Sequence, residues 1–578
     1  MRLRTKELQA ALMAALAWAA GCGAAAAGAL TPAQQRILAA PGVDAPENRF
    51  SFDDPAGPQF TGEQQQAQRE AGARVVPMVA EACRSGAESV RIPPGDYRFG
   101  KEHWDRNGAI YALEFADLVR DEQHPFTIDA SGATFWFDLG EEQAPKAHFC
   151  LGFRRCANVV FQGATLDRGT RGNVEGRITQ FDFEKNRIEL QLSPGVTLPA
   201  ALSQGMEQRV LPFKADGSFC APLYALQSGG VHLKYLSLTP GETGRVWVAM
   251  ADKALLERVR DPKWLAAHGE QGVLRVGDGL SCVHSTALAL SLVACAHMTM
   301  LDLRILVTKG LPSEEGGFGA HLWKNCYLGP RPGTSRWQGG EGFMFNATRH
   351  GTTLDHVTIT HTADDILNIH GYWSLVESAE GNRVRFTKAR GHRLRPPDLE
   401  IGDRAWFLDR NTGALLGRAE VTAIETNAVT CDTPVAGFGN AIVEWPDHEC
   451  AGWLAQDCQW RDDYQRVLIQ SGPGTLRRCA LTRTGSWVEL NTDFPYVEGG
   501  IPRDIAIEDN QFVAVGAGMP ASVGVHVSTF DRHPASLLGP VRVAGNTFDR
   551  PQAGALRLDG VSECVIENNR FVEGHGKE

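Results

Sequence analysis

The chain has 578 residues, with 57 Lys and Arg against 68 Asp and Glu, and a formal net charge of −11. At about 150 residues per domain, that length corresponds to roughly four units. Hydrophobic residues at 43% and charged residues at 22% exclude a disordered chain, and the acidic balance argues against a nucleic-acid partner, which needs a basic face. Glycine is over-represented, at 62 residues or about 11% against a usual ~7%. With 30 prolines beside it, many turns and short strands are expected, with glycine and proline at their corners.

Arg2, Arg4 and Lys6 precede an apolar run from Ala10 to Ala20 that ends in small residues. This run is too short for a membrane span, which takes about 20 residues, so residues 1–29 read as an export signal. Ala19-Ala20-Gly21-Cys22 resembles a bacterial lipobox, which would make Cys22 a lipid anchor; cleavage near Ala24–Ala29 is the alternative. The expected location is therefore periplasmic, anchored at the outer membrane, or extracellular, and no later stretch is long enough to span a membrane. Of the 13 cysteines, the 12 other than Cys22 form no C-x-x-C and no zinc spacing. Most are expected as small buried apolar residues, with one or two disulfides open after export.

The segment 30–170 begins with an amphipathic helix over Gln64–Cys83, where Val75, Val76, Val79 and Ala82 share a face. A strand, a Pro93-Pro94-Gly95-Asp96 turn and a second strand follow over Ser89–Phe99, and Thr127–Phe135 repeats the scheme. Cys156–Leu166 matches Cys295–Ile305 in its alternation of apolar and polar residues. Thr353–Ile359, Leu322–Leu328 and Thr475–Leu481 fit the same short frame. Asn510-Gln511-Phe512, Asn546-Thr547-Phe548 and Asn569-Arg570-Phe571 share Asn-x-Phe. Irregular repeats of about two dozen residues with strands throughout predict an all-β parallel β-helix, in which stacked coils bury what no single coil can. A recurrent Asn then sits beside its equivalents about 4.8 Å away, where their side chains can bond each other. An antiparallel sandwich is the alternative, but Asn-Gly hairpin signals are scarce.

Two stretches break the repeat. Residues 171–285 contain a hairpin with Glu184-Lys185-Asn186 in its turn, and a Gly277-Asp278 entry into a strand. Residues 374–449 contain another hairpin and a similar Gly402-Asp403 entry. Both read as small antiparallel β-barrels inserted between coils, placed to wall off a pocket. The coils then occupy 286–373 and 450–578.

The densest polar cluster lies in 341–373. Asp364 and Asp365 open a strand in which alternation places Ile366, Asn368 and His370 on one side and Leu367 and Ile369 on the other. Glu341 precedes Asp364 by 23 residues, about one coil, which brings a third carboxyl to the pair. Crowded carboxyls repel when ionised, so one pKa should rise; a neutral carboxylic acid can protonate a glycosidic oxygen while an ionised partner activates water. Trp373 offers a ring face to a sugar, and Asn368 and His370 offer hydrogen bonds to hydroxyls. Such a cluster also suits calcium, but no further backbone-plus-carboxylate loop is evident, so no metal or cofactor is expected. Downstream, Arg466–Gln470 reads as a strand with polar ends, followed by Trp487, Glu489, Asp493, Tyr496 and Glu498, three carboxyls and two aromatic platforms that can line the same cleft.

The opening helix, Ile92-Pro93-Pro94-Gly95-Asp96-Tyr97 and Ile128–Phe135 resemble pectin-lyase-like right-handed β-helices. Ala363–Gly371 (ADDILNIHG) resembles the D-D-x-x-N-x-H-G motif of glycoside hydrolase family 110, bacterial exo-acting α-1,3-galactosidases. Tyr327–Thr334, the Arg466–Gln470 strand, and Glu498-Gly499 followed by Asp504–Phe512 are similar to other segments of that family. Glu341-Gly342-Phe343-Met344 stands where the family has Asp-Gly-Phe-His. The resemblance implies removal of terminal non-reducing α-1,3-linked galactose from a glycan, with inversion. It places Asp364, Asp365 and Glu341 in catalysis and Asn368, His370, Trp373, Arg466, Asp493 and Glu498 on the substrate. The rivals are a polygalacturonase-like or polysaccharide-lyase β-helix enzyme and a non-catalytic carbohydrate-binding β-helix. Polygalacturonases carry N-T-D before their aspartate pair, whereas Asn491-Thr492-Asp493 comes after it.

Overall fold

A computed structural model describes most residues between 29 and 572. Outside the description lie 1–28, 45–57, 101–109, 139–147, 199–208, 221–234, 332–341, 485–487, 492–497, 515–524, 528–538, 573–578 and shorter stretches that include 363 and 464. Cys22 is therefore among the residues not described. No described helix is long and apolar enough to cross a membrane.

The core of the fold is a parallel β-helix built from three sheets. Each coil gives one strand to each sheet, as in Thr353–Asp355, Thr358–Thr360 and Leu367–Tyr372. The next coil gives Trp453–Gln456, Gln459–Arg461 and Val467–Gln470, in parallel register with the last. The matched segments seen in the sequence are adjacent coils: Thr299 stands opposite Val160, and Ala296 bridges Ala157. One side of every strand faces inward, where Phe99, Phe135, Phe161 and Phe153 pack edge-on or tilted against one another. Trp323, Trp453 and Trp460 fill the middle coils.

The N-terminal end is closed by two helices, Gly62–Gly72 and Val75–Arg84, rather than one. Pro77 is the reason: it has no N–H to give to the carbonyl of Ala73 and its ring clashes there, so a new helix starts. Val75 and Val79 are buried against the first coils, with Val76 and Ala82 beside them.

The corner between the first and second sheets shows why coils stack in register. After the first coil, each holds one left-handed residue followed by an inward one. Gly132, Gly163 and Gly545 fill some of these positions, but Asp302, Asn325, His356, Asp457, Arg478, Asp509 and Asn568 fill others. The glycine excess is therefore only partly a corner effect. A non-glycine residue there costs about 1–2 kcal/mol, offset by backbone bonds to the next coil, such as Asp302 N–H to Lys324 O and Asp457 N–H to Arg477 O. The inward position carries a ladder: Cys326, Val357, Cys458, Cys479, Asn510, Asn546 and Asn569. Asn510 Nδ2 donates to Asn546 Oδ1 and Asn546 Nδ2 to Asn569 Oδ1, both at 3.0 Å. Where the ladder turns to cysteine, the sulfur accepts instead: Cys458 N–H reaches Cys479 Sγ at 3.4 Å. Of the twelve described cysteines ten are buried, and all twelve are free thiols.

The first insert is a six-stranded antiparallel sheet with a core of its own around Ile178, Ile188, Leu190, Val246 and Val248. It is a half-barrel, since its outer strands Arg209–Phe213 and Tyr235–Pro240 do not pair with each other in the described residues. The second is a closed six-stranded barrel, sealed where Ser374–Glu380 meets Ala441–Glu444. It leaves the β-helix directly from the strand that carries Asn368 and His370.

One carboxyl lies inside the third sheet. Glu314 stands opposite Phe345, an inward residue, and is fully buried. It accepts from Trp323 Nε1 at 2.9 Å and from Thr352 Oγ1. Burial pushes its pKa up to about 7, against those two hydrogen bonds.

Candidate active site

On the outer face of the third sheet, four consecutive strands carry the polar residues. Met344, Asn368, Leu468 and Glu489 form one row across them, and Asn346, His370 and Gln470 a second. Asn346, Asn368, His370 and Glu489 are each at most 6% exposed. Their inward neighbours Phe345, Ile369, Ile469 and Leu490 hold the strands in place.

Asp364 and Asp365 lie at the corner that leads into Leu367–Tyr372. Asp365 N–H meets Asp364 Oδ1 at 3.2 Å, and Asp365 is 6% exposed while Asp364 is half-buried. Ile366 does not share the side of Asn368. It is fully buried in the core with Leu367, because the strand and its alternation begin only at Leu367. Gly342 N–H donates to Asp365 O at 2.8 Å. A Cβ on Gly342 would meet Ile366 O at 2.2 Å, so this position admits only glycine. Phe343 pairs with Leu367, an offset one residue longer than the separation of Glu341 from Asp364. Glu341 itself, Asp493, Trp487 and Tyr496 lie outside the described residues.

Arg466 connects the corner to the next two coils. Its Nε lies 3.1 Å from Asp365 Oδ1 and its Nη1 2.6 Å from Glu489 Oε2. Burial opposes the guanidinium charge, but Asp365 and Glu489 raise its pKa further above the ordinary range, so it stays ionised. Asn491 Nδ2 donates to Glu489 Oε1 at 2.5 Å, and Gln470 Nε2 to Asn491 Oδ1 at 3.1 Å. A continuous polar chain thus runs from Asp365 through Arg466, Glu489 and Asn491 to Gln470. Glu489 was visible in the sequence as one carboxyl among three; its rank above the others comes from register, which puts it on the third strand of the face.

Beside this chain lie three unmet acceptors. Asn346 gives its Nδ2 to Tyr372 Oη at 2.7 Å, leaving Oδ1 buried without a partner. Asn368 Oδ1 is likewise buried and unpaired. His370 Nδ1 lies 2.8 Å from Gly371 O, which makes it the protonated nitrogen and Nε2 the acceptor, and Nε2 also has no partner. Each such group costs about 1–3 kcal/mol while unsatisfied. Hydroxyl donors are the chemistry that would meet all three.

Glu498 reaches the site on the strand Glu498–Gly499, which runs antiparallel to the end of Leu367–Tyr372 with Glu498 opposite Tyr372. Trp373 does not join the face. It is 4% exposed within the β-helix core, and Gly499 closes over it at a distance where a Cβ would lie 2.4 Å from its ring. The chain turns into the barrel at this point, and that turn buries the indole.

Both inserts touch the flanks of this strand. Asp278 gathers Lys214 Nζ and the Ala215 and Arg275 N–H groups, fixing the loop that ends in Gly217. The Gly217 backbone hydrogen-bonds the buried ring of His361, three residues before Asp364. Asp403 of the second insert accepts from Arg349 Nη1 at 2.7 Å and pairs with His448 Nε2 at 2.8 Å.

No family model matches the chain, and no curated protein matches it. Among solved structures, it is similar to the A-module of the Azotobacter vinelandii mannuronan C-5 epimerase AlgE4. Identity is 11% and the TM-score 0.34, over 87% of this chain and 91% of that one. A second similar structure is described as a glycoside hydrolase, at 7% identity and TM-score 0.29, over 86% and 92%. A third is the Gp54 tailspike of Acinetobacter baumannii bacteriophage AP22, at 9% and 0.17, over 87% and 73%. These likenesses are too remote to carry an argument about chemistry. The class of protein, a parallel β-helix with two β inserts, is defined by its own strand pairing.

Proposed function

We propose that the protein is an exported, exo-acting glycoside hydrolase that removes terminal α-1,3-linked galactose with inversion. The observation that carries the glycosidase reading is the ion-paired Asp365–Arg466–Glu489 chain beside three buried, unmet acceptors at Asn346, Asn368 and His370. The galactose specificity rests on the resemblance of Ala363–Gly371 to family 110. Asp365, ion-paired to Arg466, activates water on one side of the sugar; Asp364 protonates the leaving oxygen on the other. By the same resemblance, Glu341 assists in catalysis, and Asp493 and Glu498 contact the substrate. The leader directs export, by lipid anchoring at Cys22 or by cleavage near Ala24–Ala29, and mass spectrometry of the mature N-terminus separates the two.

Hydrolysis of p-nitrophenyl α-galactoside by the parent and by Asp364→Asn tests this reading. The parent should release nitrophenol and the variant should not. An Asp364→Asn protein that hydrolyses at the parent rate sinks the site as drawn. Release of an ultraviolet-absorbing unsaturated product from a uronate polymer supports a lyase instead.

A further inference from the structure

A further aspartate lies beneath the aspartate pair. Thr358 stands opposite Gln459, which puts Asp463 beside Thr362 on the next coil. Asp463 is fully buried. Its Oδ1 accepts from Thr362 N at 2.9 Å and from Thr362 Oγ1 at 3.1 Å. The same hydroxyl lies 3.4 Å from the carbonyl of Asp364, so Thr362 joins Asp463 to the corner that carries the pair. Asp463 Oδ2 is buried with no partner.

An ionised carboxylate with one oxygen buried and unpaired is costly, whereas the neutral acid retains Oδ1 as the acceptor Thr362 needs. Burial pushes the Asp463 pKa well above the carboxylate range, and the charge of Asp462 adds to this. The Thr362 hydrogen bonds and Arg461 act in the opposite sense. The other charged groups around this corner are Asp364, across Thr362, and Arg483, which faces His361 on the neighbouring coil.

We propose that Asp463 is a positioning residue that, in its neutral form, fixes Thr362 and thereby the turn presenting Asp364 and Asp365. This role rests on the hydrolase reading above. Ionisation of Asp463 places an unpaired charge under the turn and releases it, so Asp463 sets an alkaline limit on activity.

The test compares the parent with Asp463→Asn and Asp463→Ala, reading kcat against pH on p-nitrophenyl α-galactoside and the infrared carbonyl stretch of protonated carboxyls at neutral pH. Asparagine mimics the neutral acid, so Asp463→Asn should keep activity and extend its plateau to higher pH. Asp463→Ala should lose about a hundredfold on the neutral plateau, the scale of a misplaced catalytic group, and the gap to the parent should close above the parent's alkaline limit. The parent-minus-Asp463→Asn difference spectrum should show a protonated-carboxyl band, since the contribution of Glu314 is common to both and cancels. A parent that hydrolyses but gives no difference band, or an Asn profile that superimposes on the parent's, overturns this role alone. A parent that gives the difference band but hydrolyses no galactoside overturns the hydrolase reading, and the positioning role with it.

Discussion

On its inner face the third sheet carries Glu314; on its outer face it carries Asn346, Asn368, His370 and Glu489, and all five are nearly or fully buried. Burial therefore does not distinguish the two faces. What differs is satisfaction. Both oxygens of Glu314 accept a hydrogen bond from within the β-helix. On the outer face, Asn346, Asn368 and His370 each keep an unmet atom. The inner carboxyl is satisfied by the protein itself, whereas the outer face keeps three buried acceptors unmet. The inserts follow the same division of labour. Asp278 spends its contacts inside its own insert, and so stiffens the loop that reaches His361. Asp403 spends its contacts on Arg349 and His448, and so locks the barrel to the β-helix.

The comparison breaks most readily at the aspartate pair. Asp365→Asn and Asp364→Asn should each lower kcat by roughly 10²–10⁴-fold, Asp364→Asn with little change in melting temperature; an Asp364→Asn protein that melts early and is otherwise active would make the pair structural. Arg466→Leu should come next. It strands Asp365 and Glu489, each about a tenth exposed, without their cation, at a cost of about 3–5 kcal/mol in urea unfolding.

Glu314 sharpens the contrast from the inside. Its folded pKa, about 7, lies above its ordinary 4.5, so the folded state holds a proton that the unfolded chain releases. Its contribution is full below pH 4.5 and is lost as pH rises toward 7, a decline of about 3 kcal/mol. Unfolding free energies of parent and Glu314→Gln across that window should diverge in this sense; parallel curves would show that Glu314 is not held neutral. The smallest effect is expected at the ladder. Asn546→Ala removes bonds to Ile507 O and Asn569 and leaves the Asn510 N–H unmet, for about 2 kcal/mol of stability and no change in kcat.

The repeat was legible because stacking forces equivalence: the Cys156 and Cys295 segments and the Asn-x-Phe triplets occupy matching places in neighbouring coils. The same logic put Asp364 and Asp365 at the opening of a strand, whereas the strand starts at Leu367 and the pair lies at the corner before it. Alternation misled at Ile366, since it starts only where the strand does, and at Trp373, since an aromatic beside a polar strand reads the same whether it faces a cleft or a core. Asp463 was invisible. It follows Asp462 at an ordinary corner, and only the stacking of Thr362 upon it separates a buried acid from a solvated one.

Proton NMR of the parent acting on branched blood-group B trisaccharide and linear α-1,3-galactobiose tests the central claim most directly. An inverting hydrolase releases galactose first as the β-anomer, and Asp365→Asn releases none. Galactose appearing first as the α-anomer, or no galactose from either sugar, would contradict the site described above.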